Sequence, residues 1–248
     1  MRKFLLLACL ASSYSAFTQW QSESLIGIHE SIAIHDDNTF GIQEANGSLY
    51  TTDGGNTFSE YEFVDENGNS LFGFVPNTLE YIDAQTLVCG GFFLSFELEG
   101  ILRSTNGGQN WSYVYSQTDL NDTLAILDLN FPTTSVGYAV GNDGRIVKST
   151  DSGLSWDVIG NEPFVQYYDV EFYDAARGAI AAQNGIKLTD DGGLSWTDVA
   201  MDQPMFGIAW KDANTILVCG YGGLVMYSND GGQTWTESEG PAFTQYDV

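Results

Sequence analysis

Ser149-Thr150-Asp151-Ser152-Gly153-Leu154-Ser155-Trp156 is the stretch on which the fold turns. An Asp or Asn at its third position can accept hydrogen bonds from backbone N–H groups just ahead of it, and the glycine supplies the positive φ of a tight hairpin. The large ring at the end then packs inward as a strand residue and anchors the turn. Four more copies occur: Thr51 to Phe58 around Asp53 and Gly55, Ser104 to Trp111 around Asn106 and Gly108, Thr189 to Trp196 around Asp191 and Gly193, and Ser228 to Trp235 around Asp230 and Gly232. The third positions fall at 53, 106, 151, 191 and 230, spaced by 53, 45, 40 and 39 residues. A repeat of about 40 to 45 residues is the length of a four-stranded propeller blade.

Alternation and turn residues place two strands and an innermost strand ahead of each hairpin, for example Asp128 to Pro132, Val136 to Gly141 and Gly144 to Ser149. The expected fold is all-β: a propeller of four-stranded antiparallel blades over 19–248, with complete blades at approximately 30–62, 77–116, 126–160, 167–200 and 205–239. An unclosed ring leaves strand edges bare. Trp20 reads as an orphan outer-strand residue, and Pro241 to Val248 echoes Pro163 to Val170, so 243–248 reads as the start of a sixth blade. The expectation is a C-terminally truncated frame; the alternative is a five-blade ring with a frayed tail.

The N-terminus begins Arg2-Lys3, runs apolar from Phe4 to Ala11 and turns small and polar, the layout of a signal peptide over 1–18. That run is too short to span a bilayer. Leu6-Leu7-Ala8-Cys9 has the outline of a lipoprotein signal, but the run before Cys9 is short and Leu7 is bulky, so the expected location is secreted or periplasmic without a lipid anchor. The chain carries 33 Asp+Glu against 8 Lys+Arg, a formal net charge of −25. Nucleic acid is excluded as a partner, because the cations that neutralise phosphate are missing. The acidity serves solubility or attracts cations or a basic partner. Cys89 and Cys219 occupy equivalent Leu-Val-Cys-Gly positions in non-adjacent blades, beyond disulfide reach, and are expected to be buried thiols.

The hairpin motif matches the Asp-box, or bacterial neuraminidase repeat. The run Val136 to Trp156 resembles the repeat of the photosystem II stability/assembly factor family, and blades three to five keep that pattern. The resemblance implies a seven-bladed, non-enzymatic propeller that holds a protein partner during assembly. Only Arg103, Arg145 and Arg177 follow the leader as arginines, so a basic docking patch of the family's kind is not expected. Sialidases share the box, but their Phe/Tyr-Arg-Ile-Pro segment is absent, and these three arginines fall on different strands and turns. A glycosidase working with two acids needs carboxylates about 5 to 9.5 Å apart; Glu80, Asp128, Asp169 and Glu171 fall on innermost strands as a candidate acidic tunnel, read chiefly as solvated lining.

No cofactor or metal is expected: the boxes of Asp53, Asp151, Asp191 and Asp230 each offer one carboxylate where calcium wants several oxygens, and His29 and His35 are the only histidines. The box residues Asp53, Gly55, Asn106, Gly108, Trp111, Asp151, Gly153, Trp156, Asp191, Gly193, Trp196, Asp230, Gly232 and Trp235 are assigned a structural role. The opposite rim carries the interblade loops and second-to-third-strand turns, and there the aromatics vary. Phe74, Phe92, Phe93, Phe96, Phe164, Tyr167 and Phe206 are the candidate binding rim, unless they only cap the blade cores. The expected function is a secreted protein-binding or assembly scaffold; the alternative is a carbohydrate-active enzyme or glycan-binding propeller.

Overall fold

A computed structural model describes residues 29–44, 47–71, 73–94, 98–116 and 125–238. The expected signal peptide over 1–18, Trp20, Phe96 and the expected start of a sixth blade at 243–248 lie outside the described residues. Five antiparallel sheets follow one another, each a meander of four strands in chain order. They are β1 (His29–Ile34) to β4 (Ser59–Glu62) through β2 (Phe40–Glu44) and β3 (Gly47–Thr51); β5 (Phe74–Tyr81), β6 (Leu87–Phe93), β7 (Leu98–Ser104) and β8 (Ser112–Ser116); β9 (Ile126–Asn130), β10 (Gly137–Gly141), β11 (Ile146–Ser149) and β12 (Asp157–Gly160); β13 (Tyr167–Phe172), β14 (Gly178–Ala182), β15 (Gly185–Thr189) and β16 (Thr197–Ala200); and β17 (Met205–Trp210), β18 (Ile216–Gly220), β19 (Val225–Ser228) and β20 (Thr236–Ser238). The first strands β1, β5, β9, β13 and β17 are neighbours in succession, which makes the sheets the blades of a propeller.

Burial follows from that arrangement. A second strand is covered on both faces by adjacent blades, so Gly137–Gly141 and Gly178–Ala182 are buried at every residue and read as unbroken runs of small and apolar side chains. The outer strands β4, β12 and β16 are mostly exposed. Between blades two and three, Val88, Ile101, Ile126 and Val147 are fully buried. At roughly 1.5–3 kcal/mol per large apolar side chain removed from water, such clusters supply the adhesion between blades.

Each box closes on itself in the same way. The opening Ser or Thr hydroxyl donates to the third-position side chain at 2.7–2.9 Å and accepts the N–H of the fifth-position glycine at 2.8–3.0 Å. The Asp or Asn Oδ1 then takes the N–H four residues on, at 2.9–3.1 Å. In the four Asp copies Oδ2 also accepts the following Thr or Ser hydroxyl. Both carboxylate oxygens are spent on the turn itself.

Two sets of backbone bonds assign the rims. The first residue after each third position donates to the first-to-second-strand turn of its own blade: Gly54 to Asn38, Gly107 to Gln85, Ser152 to Ser135, Gly192 to Ala176 and Gly231 to Asn214. On the other rim the second-to-third-strand turns donate to the loop entering the same blade: Leu94 to Gly73, Asn142 to Ala125, Gln183 to Gln166 and Tyr221 to Pro204.

The residue just before a box reaches the next blade. Arg103 Nε donates to the Ser152 carbonyl at 2.8 Å, Lys148 Nζ to the Gly192 carbonyl at 2.7 Å, and Tyr50 and Leu188 lie against Gly108 and Gly232. Cys89 and Cys219 are fully buried and in no disulfide. Burial pushes the Cys89 thiol well up, so neither cysteine is expected to react with a thiol reagent such as DTNB until the chain is denatured. Fast labelling of the native protein would show that these blade interfaces open.

Candidate binding rim and acidic channel

The sequence places seven aromatics on the rim opposite the boxes, and the structure divides them. Phe74, Phe93 and Tyr167 are buried, as are Phe63 and Met205 from the same loops and strand starts. Phe74 packs edge-on against Phe63, whose ring also meets Trp111, and against Phe93. These residues cap blade cores, which corrects their reading as binding residues. The physical reason is a register shift near the start of the first strands, between Pro76 and Thr78 and between Tyr167 and Asp169, which resets the side of the sheet each residue faces.

Phe92 and Phe206 are half-buried. Phe164 is 91% exposed, the most open large apolar residue on this rim among the described residues. Leu94 and Tyr221, at second-to-third-strand turns, are 64% and 57% exposed and were not singled out by sequence; Tyr221-Gly222-Gly223 carries the turn signal that could have found the latter. Tyr168, also unpredicted, meets Phe206 edge-to-face at 4.9 Å across blades four and five. On the box rim, Leu154 and Leu194 stand exposed at the hairpin tips.

The four acids of the candidate tunnel are half-buried, and they join blades. Asp128 Oδ2 accepts the Val170 N–H at 3.0 Å, its Oδ1 accepts the Thr78 hydroxyl, and Asp169 Oδ2 accepts the Ile208 N–H at 2.7 Å. Asn130 donates to Glu171 and accepts from Phe172 N–H, repeating the staple one step along. Burial, then the charges of Glu171 and Asp128, push Glu80 up to about 8. Burial and then Asp128 push Glu171 to about 8. Asp128 and Asp169 are also raised, first by burial. A cluster of this kind shares protons among its carboxyls.

The cations sit elsewhere. Arg145 is buried beside Glu99, Nε to Oε1 at 3.3 Å, and Tyr115 donates to the same oxygen, tying blade two to blade three. Lys187 is buried between Glu162 and Asp198. Arg177 pairs with Asp174 at the box rim. The three arginines therefore occupy three separate sites and form no carboxylate clamp. Among the described residues no group of three or more His, Cys, Asp or Glu is placed to hold a metal ion.

Comparison with known proteins agrees with this architecture. Residues 109–207 match the model of the photosynthesis system II assembly factor YCF48, and residues 226–237 match the BNR/Asp-box repeat. The chain is an Asp-box propeller similar to the photosystem II assembly factors. The photosystem II assembly lipoprotein Ycf48 of Synechococcus sp. (strain CC9902) is 35% identical over 94 residues, 35% of this chain and 28% of that protein. The photosystem II assembly protein Ycf48 of Synechococcus sp. (strain JA-2-3B'a(2-13)) is 30% identical over 134 residues, 49% of this chain and 39% of that protein. The chain thus spans well under half the length of these assembly factors. The GH74 enzyme of Niastella koreensis shares the fold with a TM-score of 0.65 at 21% identity, covering 84% of this chain and 38% of that one. That a similar assembly factor is named a lipoprotein counts against setting aside a lipid anchor at Cys9. Among the described residues no helix is long and apolar enough to cross a membrane.

Proposed function

We propose that this chain is a non-enzymatic scaffold, acting outside the cytoplasm, that binds a protein partner on the rim opposite its Asp-boxes. The observation that carries the reading is the division of the rims. The box turns spend their polar groups on themselves and on the adjacent blade and, of large apolar side chains among the described residues, expose only the aliphatic Leu154 and Leu194, whereas the opposite rim holds the rings of Phe164 and Tyr221, with Leu94, out to solvent on hydrogen-bonded turns. Rigidly held apolar side chains on a polar surface mark a protein interaction site. The similarity to proteins named as assembly factors points the same way, and the carboxylates of the innermost strands serve as staples between blades.

A photo-cross-linking residue at position 94, compared with one at position 154, tests this in the cells that make the protein. Discrete protein adducts are expected from position 94. Adducts from position 154 alone would move the site to the box rim, and hydrolysis of chromogenic glycosides that Glu80→Gln abolishes would make the chain an enzyme.

A further inference from the structure

Phe164 occupies an unusual turn. Glu162, Pro163, Phe164 and Val165 form a β-turn closed by the Val165 N–H on the Glu162 carbonyl at 3.2 Å, with Phe164 at φ 71. Proline at the second position and a positive φ at the third define the type II turn, where glycine is strongly favoured and a bulky ring is an outlier. Phe164 N–H donates to Asp143 Oδ1 at 2.7 Å, and the Glu162 N–H donates to the Gly144 carbonyl, so the second-to-third-strand turn of blade three locks the loop in place. The ring gains no burial in return. A side chain kept in a costly conformation and fully in water is explained by something that covers it.

Charge says what kind of partner that is. After the leader the chain has six cations, Arg103, Lys148, Arg177, Lys211, Arg145 and Lys187. The first four lie at the ends of third strands leading into boxes or at first-to-second-strand turns, on the box side. Arg145 and Lys187, which approach the opposite rim, are buried in ion pairs with Glu99 and with Glu162 and Asp198. Beside the paired Glu162, the loops and turns of that rim carry Asp65, Glu66, Asp143 and Asp202 with no uncommitted cation among the described residues. On the same rim, Tyr168 and Phe206 near the starts of the first strands of blades four and five meet edge to face, and Tyr221 stands at the second-to-third-strand turn of blade five.

Resting on the binding-rim reading above, we infer that the partner is a basic peptide segment carrying apolar residues. Its apolar side chains pack on Phe164, Tyr168, Phe206 and Tyr221 while its Lys or Arg side chains meet the surrounding carboxylates.

Random dodecapeptides displayed on phage and selected on the purified chain give the test. The enriched peptides are expected to be net cationic with at least one large apolar residue, to weaken as salt is raised, and to bind Phe164→Ala at least about tenfold less tightly than the parent. Phe164→Gly relieves the turn, so it should melt higher than the parent while binding no better than Phe164→Ala, a combination that misfolding cannot produce. Peptides that are acidic or neutral, or indifferent to Phe164 yet lost with Tyr221→Ser, overturn the basic-segment inference and leave the rim in place. Peptides lost only with Leu154→Ser or Leu194→Ser overturn the rim reading itself, and a selection that enriches nothing overturns the inference.

Discussion

The melting temperature of this protein is expected to peak in mildly acid solution and to fall by roughly 5 °C or more between about pH 5 and pH 9. Four carboxyls on successive innermost strands, Glu80, Asp128, Asp169 and Glu171, face one another with no cation among them. Their polar partners are the Thr78 hydroxyl, the Asn130 amide and the N–H groups of Val170 and Ile208, with Phe131 N–H beside Glu80. Glu80 and Glu171 rise from an ordinary 4.5 to about 8. The folded chain therefore holds protons that the unfolded chain releases above 4.5. The stability linked to them is complete below that value and is lost as the pH climbs through about 8. The full displacement of one such group is worth up to about 5 kcal/mol, and partial exposure screens this to roughly 1–3 kcal/mol.

The box aspartates act in the opposite direction. Hydrogen bonds from Thr57, Ser195 and Thr234 hold Asp53, Asp191 and Asp230 down to about 2. Their contribution is present above 3.8 and lost as the pH falls toward 2, which sets the acid side of the optimum. Thermal scans of the parent, Glu80→Gln, Glu171→Gln and the double variant separate the cluster from the general repulsion of a chain at −25. The amide can still accept the N–H or amide donor yet carries no charge, so the double variant should melt above the parent at pH 9 and show a flatter profile. Glu66→Gln, on an exposed loop, should keep the parent's slope. A parent whose melting temperature is level or rising up to pH 9 would remove the cluster from the stability account.

These staples show where sequence reading stops. The boxes were legible because their chemistry is complete within eight residues: Asp151 bonds Ser149 and Ser155, and nothing distant decides the turn. The blades followed from five such turns and the strands between them. Asp128 was placed on an innermost strand, but its partner Val170 is 42 residues away, so only the assembled ring shows that the carboxyl bridges blades. Phe74 and Phe164 look alike in sequence as loop-proximal aromatics. A register shift sends the first into the core, and the Pro163 turn with the positive φ of Phe164 sends the second into water. The pairing of Arg103 and Lys148 with the next box carbonyl was hidden for the same reason as the staples: the partners lie one blade away.

The joint between boxes and blades makes two neighbouring glycines unequal. Gly107 and Gly108 both have positive φ, 68 and 84, so alanine at either site carries the left-handed backbone cost of about 1–2 kcal/mol. A Cβ at Gly107 meets only Gln85 Oε1 at 3.9 Å. At Gly108 it would lie 2.4 Å from Cζ and 2.5 Å from Oη of Tyr50, the residue that precedes the first box. Tyr50 is buried, and its ring is backed by Tyr61 at 5.6 Å, so it has little room to retreat. Overpacking of this kind adds about 1–3 kcal/mol. Urea unfolding should therefore show Gly108→Ala less stable than Gly107→Ala by at least about 1 kcal/mol, with the whole loss near 2–5 kcal/mol. Equal midpoints for the two variants would mean that the box turn does not press on the preceding blade. Because Leu188 lies just as close to Gly232, with 2.4 Å to a Cβ there, the same inequality is expected between Gly232→Ala and Gly231→Ala, whose Cβ would meet open space. Finding it at both ends of the array would establish the contact between one blade and the next box as a repeating joint of the propeller, and not a peculiarity of one turn.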